Sequence, residues 1–178
     1  MNGAKRKIPL PHVRAPFAAT ADWPLAARTV IEEIIDRYGE PNEMSADRLV
    51  WRYNSPWKRT VVYCRGRLVL EQAVEYRFPP THIADIAQFS SNIVVRPIAE
   101  ELIAVGDNER LNRILLNLAH DILIGVRTSE EAREMLKSMT GALRMNWPEE
   151  YAQQLHFEWD DSFTDSTRRR YFNTRQQV

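Results

Sequence analysis

Glycine is scarce in this chain and widely spread. The six glycines stand at 3, 39, 66, 106, 125 and 141, and the closest pair, Gly125 and Gly141, is 16 residues apart. A glycine-rich phosphate cradle needs two or three glycines within one tight turn, so neither a dinucleotide fingerprint nor a Walker-type loop can be written. Cys64 is the only cysteine, which excludes an intrachain disulfide and a cysteine-rich zinc site and fits a reducing compartment. No uninterrupted apolar run is long enough to span a bilayer. The basic start, Met1 to Pro11, has no apolar run behind it, which argues against a secretory signal. A cytoplasmic protein without a membrane role is the expectation. There is no H-E-x-x-H, no C-x-x-C and no G-x-S-x-G elbow, so most familiar hydrolytic enzymes are disfavoured and no cofactor or metal is expected.

An excess of charge is missing too. The 24 basic and 24 acidic side chains cancel, whereas a chain that neutralises many phosphates carries a basic surplus. Nucleic acid is therefore a poor candidate partner. The basic charge is nonetheless uneven. Lys5, Arg6, Lys7 and Arg14 fall in an acid-free start, and Arg168, Arg169 and Arg170 lie near the other end. With Pro9, Pro11 and Pro16 among them, residues 1–21 read as a flexible basic arm, and 160–178 as a flexible charged tail. Residues 22–159 then form a single domain of ordinary composition, 44% of the chain being hydrophobic and 27% charged.

Within that domain the hydrophobic period alternates between helix and strand. Val30, Ile31, Ile34, Ile35 and Tyr38 recur at helical spacing over 23–38, with Asp22 placed to cap and Gly39 and Pro41 to stop the helix. Leu49, Trp51 and Tyr53 alternate as a strand, and Asn54-Ser55-Pro56-Trp57 reads as a turn. Thr60 to Cys64 is a second strand, and Arg65-Gly66 reverses the chain into a third that ends near Val69 or Leu70. Residues 71–78 lean towards strand. A short helix follows Pro79-Pro80 through Phe89, then a β run at Ile93-Val94-Val95 with a partner at 100–105. Asp107 is placed to cap a long helix over 108–124, stopped by Gly125. Thr128 and Glu131 have capping-box spacing for the next helix, and Leu155, Phe157 and Trp159 suggest a last strand. The expected fold is a two-layer α+β domain, an antiparallel sheet of five or six strands packed by about four helices.

Two constellations can carry chemistry. On the 108–124 helix, Leu111, Ile114, Leu115, Leu118 and Ile122 form the apolar face, while Arg113, Asn117, His120 and Asp121 fall on another side. Those four can line a ligand pocket, His120 serving as acid/base or metal ligand and Asp121 as its orienter or a second ligand. They can equally form a structural network, the reading buried polar groups more often satisfy. The His120-Asp121 pair resembles the metal dyad of HD-type phosphohydrolases, with His82 and Asp160 or Asp161 as further ligands, although the β-rich first half departs from that helical fold. The second constellation is Trp51 to Thr60. There Trp57 reads as an exposed aromatic, with Lys58 and Arg59 placed to meet phosphate in a weak nucleic-acid binder.

The segments Trp51-Arg52-Tyr53-Asn54-Ser55-Pro56-Trp57-Lys58-Arg59-Thr60 and Leu116-Asn117-Leu118-Ala119-His120-Asp121-Ile122 together resemble a family of conserved bacterial proteins of unknown function. The resemblance spans about 25 to 157. It implies a bacterial source and brings no activity and no catalytic residue. The helix-Gly39-Glu40-Pro41-hairpin unit is also similar to small outer-membrane-assembly lipoproteins, but the lipobox cysteine of that family is missing. The leading functional expectation is a non-catalytic binding or protein-interaction domain, with a homodimer or another protein as partner. A small enzyme or ligand-binding protein built on Arg113, Asn117, His120 and Asp121 is the alternative.

Overall fold

The computed structural model describes residues 15–79, 81–140 and 150–157. Six strands form one antiparallel sheet in the order β1-β2-β3-β4-β6-β5. They are β1 (Glu43–Met44), β2 (Arg48–Asn54), β3 (Trp57–Tyr63), β4 (Leu70–Glu75), β5 (Ile93–Arg96) and β6 (Glu101–Gly106). The helices among the described residues are α1 (Ala15–Ala19), α2 (Leu25–Tyr38), α3 (Ile83–Phe89), α4 (Glu109–Leu123), α5 (Ser129–Thr140) and α6 (Glu150–Gln153). The expected α+β fold is therefore what forms.

Strand alternation sends Leu49, Trp51, Val62 and Leu70 to one side, where they meet Val30, Ile31, Ile34 and Ile35 of α2. On the same side Val74, Leu102 and Ala104 meet α3, α4 and α5 through Ile86, Leu115, Leu118 and Ala132. The helical layer thus holds two apolar clusters, one under α2 and one around α4. Helix α4 is buried on several sides, as its surplus of leucines predicts. Its cap is Asn108, whose side chain accepts from the Leu111 amide at 2.9 Å, in place of the expected Asp107. The Thr128–Glu131 box forms as expected: the Thr128 amide donates to Glu131 Oε2 at 2.8 Å and the Glu131 amide to Thr128 Oγ1 at 3.2 Å.

Four expectations need correction. Residues 15–19, expected to lie in the arm, are helical: Thr20 Oγ1 donates to the Pro16 carbonyl at 2.8 Å and Phe17 packs on the α2 cluster. The α2 cap position is Pro24, not Asp22. The third strand begins at Leu70, where it was expected to end, because Gly66 (φ +137°) opens a loop that runs to Val69. Residues 155–157 form no strand: the His156 amide is bonded to an asparagine side chain described below, and Trp159 lies outside the described residues.

Candidate functional site

The seven candidate residues fall in three places. Asn117, His120 and Asp121 meet the segment 150–157, Arg113 and Trp57 meet beneath α4, and Lys58 and Arg59 lie on the sheet face away from the helices.

Asn117 is fully buried and uses both ends of its amide on one stretch of backbone. Its Nδ2 donates to the Tyr151 and Gln154 carbonyls at 3.1 and 2.8 Å, and its Oδ1 accepts from the His156 amide at 2.8 Å. Those bonds replace the ladder a strand would have supplied. Asp121, one turn later, accepts at Oδ2 from Arg127 Nε at 2.9 Å and from Tyr151 Oη at 2.6 Å. Its own carbonyl accepts from the Val126 and Arg127 amides, closing the turn after α4.

His120 sits between the Tyr76 and Phe157 rings, with centroids 5.8 and 4.8 Å away. Its Nδ1 lies 2.8 Å from Tyr76 Oη. Burial pushes the imidazole pKa down, Asp121 opposes that in part, and His156 adds to it. Burial first, then the Asp121 charge, pushes the Tyr76 phenol up to about 12. Both rings are therefore neutral near neutrality, and the histidine tautomer sets which of them donates in this bond. The carboxylate that would orient an acid/base histidine is bonded to Arg127 and Tyr151 instead. Nucleophile, base and orienter do not converge here.

Trp57 corrects the expectation most sharply: it is fully buried rather than exposed. Tyr53 adopts φ +52°, in the left-handed region, and the alternation of β2 and β3 slips there. Asn54 then turns inward, its Nδ2 donating to Thr60 Oγ1 at 3.0 Å, and Trp57 enters the core beside Val74 and Leu115. The indole Nε1 donates to Tyr38 Oη at 3.1 Å, and the Arg113 guanidinium lies 5.8 Å above the ring. The slip sends Lys58 outward instead. Lys58 Nζ pairs with Glu101 at 3.3 Å, and Arg59 pairs with Glu71 at 3.0 Å and Glu101 at 3.3 Å.

A further polar network centres on Glu109, which was not a candidate, and takes in Arg113, which was. Glu109, nearly buried at the start of α4, accepts at Oε1 from Arg37 (2.5 Å), Tyr38 Oη (2.9 Å) and Arg113, and at Oε2 from Gln72 (3.1 Å). Asn112 Nδ2 extends it, donating to Gln72 Oε1 at 3.1 Å and to the Leu70 carbonyl at 3.3 Å. The Glu109 charge raises the Arg37 pKa, and burial, then Glu109, raises that of Tyr38. The signal for this network was present. Asn112 shares a helical stripe with Leu116, Ala119 and Leu123, and Gln72 is in phase with Leu70 and Val74.

No group of three or more metal-binding side chains occurs among the described residues. His82 Nδ1 pairs with its neighbour Asp85 at 2.9 Å, and Asp160 and Asp161 lie outside the described residues. No helix among the described residues is long and apolar enough to cross a membrane. In comparisons with known proteins, no family model, no curated protein and no solved structure matches the chain.

Proposed function

We propose that the protein is a non-catalytic domain that acts by protein–protein contact. The observation that carries this reading is where unused bonding capacity lies. Inside, the side chains that chemistry would need are committed: Asn117 and Asp121 hold residues 150–157, and Glu109 gathers Arg37, Tyr38, Arg113 and Gln72. Outside, the β5 edge carries no neighbouring strand among the described residues, with Val94 exposed beside it and Ile98 fully exposed on the β5–β6 turn. A partner that adds a strand gains backbone hydrogen bonds there and an apolar contact beside them. The nucleic-acid alternative is weakened because Lys58 and Arg59 are held by carboxylates. The cytoplasmic setting and bacterial source remain part of the proposal, on the sequence alone.

One observation favours a second reading, a small-ligand pocket. His120 is half-buried against Tyr76 and Phe157, with Phe78 on the Tyr76 ring, and only its Nδ1 is bonded among the described residues. Native mass spectrometry of protein purified without chelators separates the two. Under the interaction reading, the chain or its multiples carries no added mass. A stoichiometric small-molecule adduct that disappears in His120→Gln, with the fold intact, overturns it in favour of the pocket.

A further inference from the structure

The two edges of the sheet are built differently. At one, β1 is two residues long and the exposed side of β2 is blunted by side chains: Asn42 Oδ1 accepts from the Arg52 amide at 2.6 Å, and Glu43 pairs with Arg52 at 2.6 Å. Short strands and charged side chains are how proteins discourage further pairing at an edge. At the other, β5 reads Ile93-Val94-Val95-Arg96, three β-branched residues with no bulge, proline or acid among them. Among the described residues β5 pairs on one side only, with β6, in the register Ile93↔Ala104 to Arg96↔Glu101.

The ladder identifies which backbone groups are left over. The Val105 amide donates to the Asn92 carbonyl directly opposite, so residues 92, 94 and 96 turn their N–H and C=O groups towards β6. Residues 93 and 95 therefore turn theirs outward. Among the described residues the only bond on that side is a long one, from the Ile93 amide to the Ser90 carbonyl at 3.4 Å. The Val95 N–H and the Ile93 and Val95 carbonyls are left without a partner among the described residues.

We propose that this edge pairs with the same edge of a second copy of the chain, which rests on the interaction reading above and names its partner. Antiparallel pairing has to bring outward-facing residues opposite one another. The register that pairs both of them puts Ile93 of one copy opposite Val95 of the other, with the two-fold axis through Val94; setting Val95 opposite Val95 would bring Pro97, which has no N–H, opposite Ile93. The Val95 N–H of each copy then donates to the Ile93 carbonyl of the other. The two Val94 side chains meet directly on the face away from the helices, where Val94 is 39% exposed in the single chain. Arg96 falls opposite Asn92 of the second copy. The two Arg96 side chains stand about 14 Å apart, four residues along the strand, beyond the ~8 Å over which salt leaves charges unscreened. Each Arg96 also keeps Glu101 at 3.7 Å. Ile98, fully exposed on its turn, lies in this register over Ser90 of the second copy. Zero formal net charge leaves no long-range repulsion between copies. The edge is self-complementary in hydrogen bonds, shape and charge.

The register makes a specific test. Sedimentation equilibrium across a wide concentration range is expected to give a reversible dimer for the wild-type chain. Val94→Lys and Val94→Glu each set like charges across the axis, so each alone is expected to weaken the dimer at least tenfold. Mixed in equal amounts they are expected to form a heterodimer at least as tight as the wild type. A monomeric wild-type chain overturns the proposal, as does a dimer indifferent to both substitutions or a mixture that fails to associate. Should either variant fold poorly, amide exchange of the wild type decides. The Val95 amide slows as concentration rises while the Val94 amide, already bonded to β6, does not; equal behaviour overturns self-pairing. A wild-type monomer of bare mass removes self-pairing alone, whereas an adduct lost in His120→Gln removes the interaction reading itself.

Discussion

Replacing Glu109 tests whether the buried network holds the fold. The Glu109 side chain is 6% exposed and receives Arg113, Arg37, Tyr38 and Gln72. Arg37 is 53% exposed, so its ion pair is largely solvated and contributes about 0.2–1 kcal/mol. Arg113 is different. At 15% exposure it sits over Trp57 with its Nε buried and unpartnered, and removing Glu109 strands its charge. Breaking a buried pair from one side costs about 3–5 kcal/mol. Glu109→Leu is therefore expected to lower stability by that amount, or the melting temperature by about 6–20 °C for a chain of this size. Taking away the stranded charge as well reverses most of the loss, because an apolar pair of similar volume is often neutral. Glu109→Leu/Arg113→Met is expected to be more stable than Glu109→Leu alone in urea unfolding. A single-variant loss below about 1 kcal/mol refutes this account, as does a double variant less stable than the single.

Three further outcomes follow from the geometry. His120 has a folded-state pKa below its ordinary 6.5, so the unfolded chain binds more protons and stability falls as pH drops through about 6.5 towards the folded value. His120→Gln should flatten that part of the stability profile, and an unchanged slope between about pH 7 and 5 would refute the assignment. A Cβ on Gly106 would meet Asn112 Oδ1 at 2.5 Å, a contact that forces movement in a bonded side chain. Gly106→Ala is expected to cost about 1–3 kcal/mol in urea unfolding, and a neutral result would show that Asn112 can retreat. Asn117→Ala removes three bonds to residues 151–156, so exchange of the His156 amide should accelerate well before global unfolding; unchanged protection would mean other contacts hold the segment.

Periodicity made α2, α4, β2 and β3 legible because the apolar residues of each main core face recur at the period of the element, even where α4 is buried on other sides too. What could not be read was anything set by a single unusual dihedral or a long-range bond. Trp57 was expected at a turn tip because alternation was extended through Tyr53, whose left-handed φ sends the indole into the core. Residues 155–157 alternate like a strand, yet the His156 amide, with the Tyr151 and Gln154 carbonyls before it, is claimed by Asn117, a partner 34 to 39 residues away. Asn117, His120 and Asp121 were identified as a buried polar stripe, and the structure supplies its use: fastening the last described segment to α4. Glu109 was missed because an acid in the first turn of a helix already has a local reason to be there, the helix dipole.

The position of the Glu109 network explains why a core this apolar carries so much polarity. The helical layer has two apolar clusters, and Tyr38 borders both. Helix α2 belongs to one and α4 to the other. Apolar packing alone sets where each helix lies on the sheet but constrains their mutual register weakly, since hydrophobic contact is not directional. Glu109 supplies direction. From α4 it draws Arg37 and Tyr38 at the end of α2 and Gln72 on the central strand β4 into one carboxylate. Only one placement of the two helices satisfies all of those donors. Of the four residues expected to line a pocket, Arg113 belongs to this joint between the two half-cores, while Asn117 and Asp121 bond residues 151–156 instead.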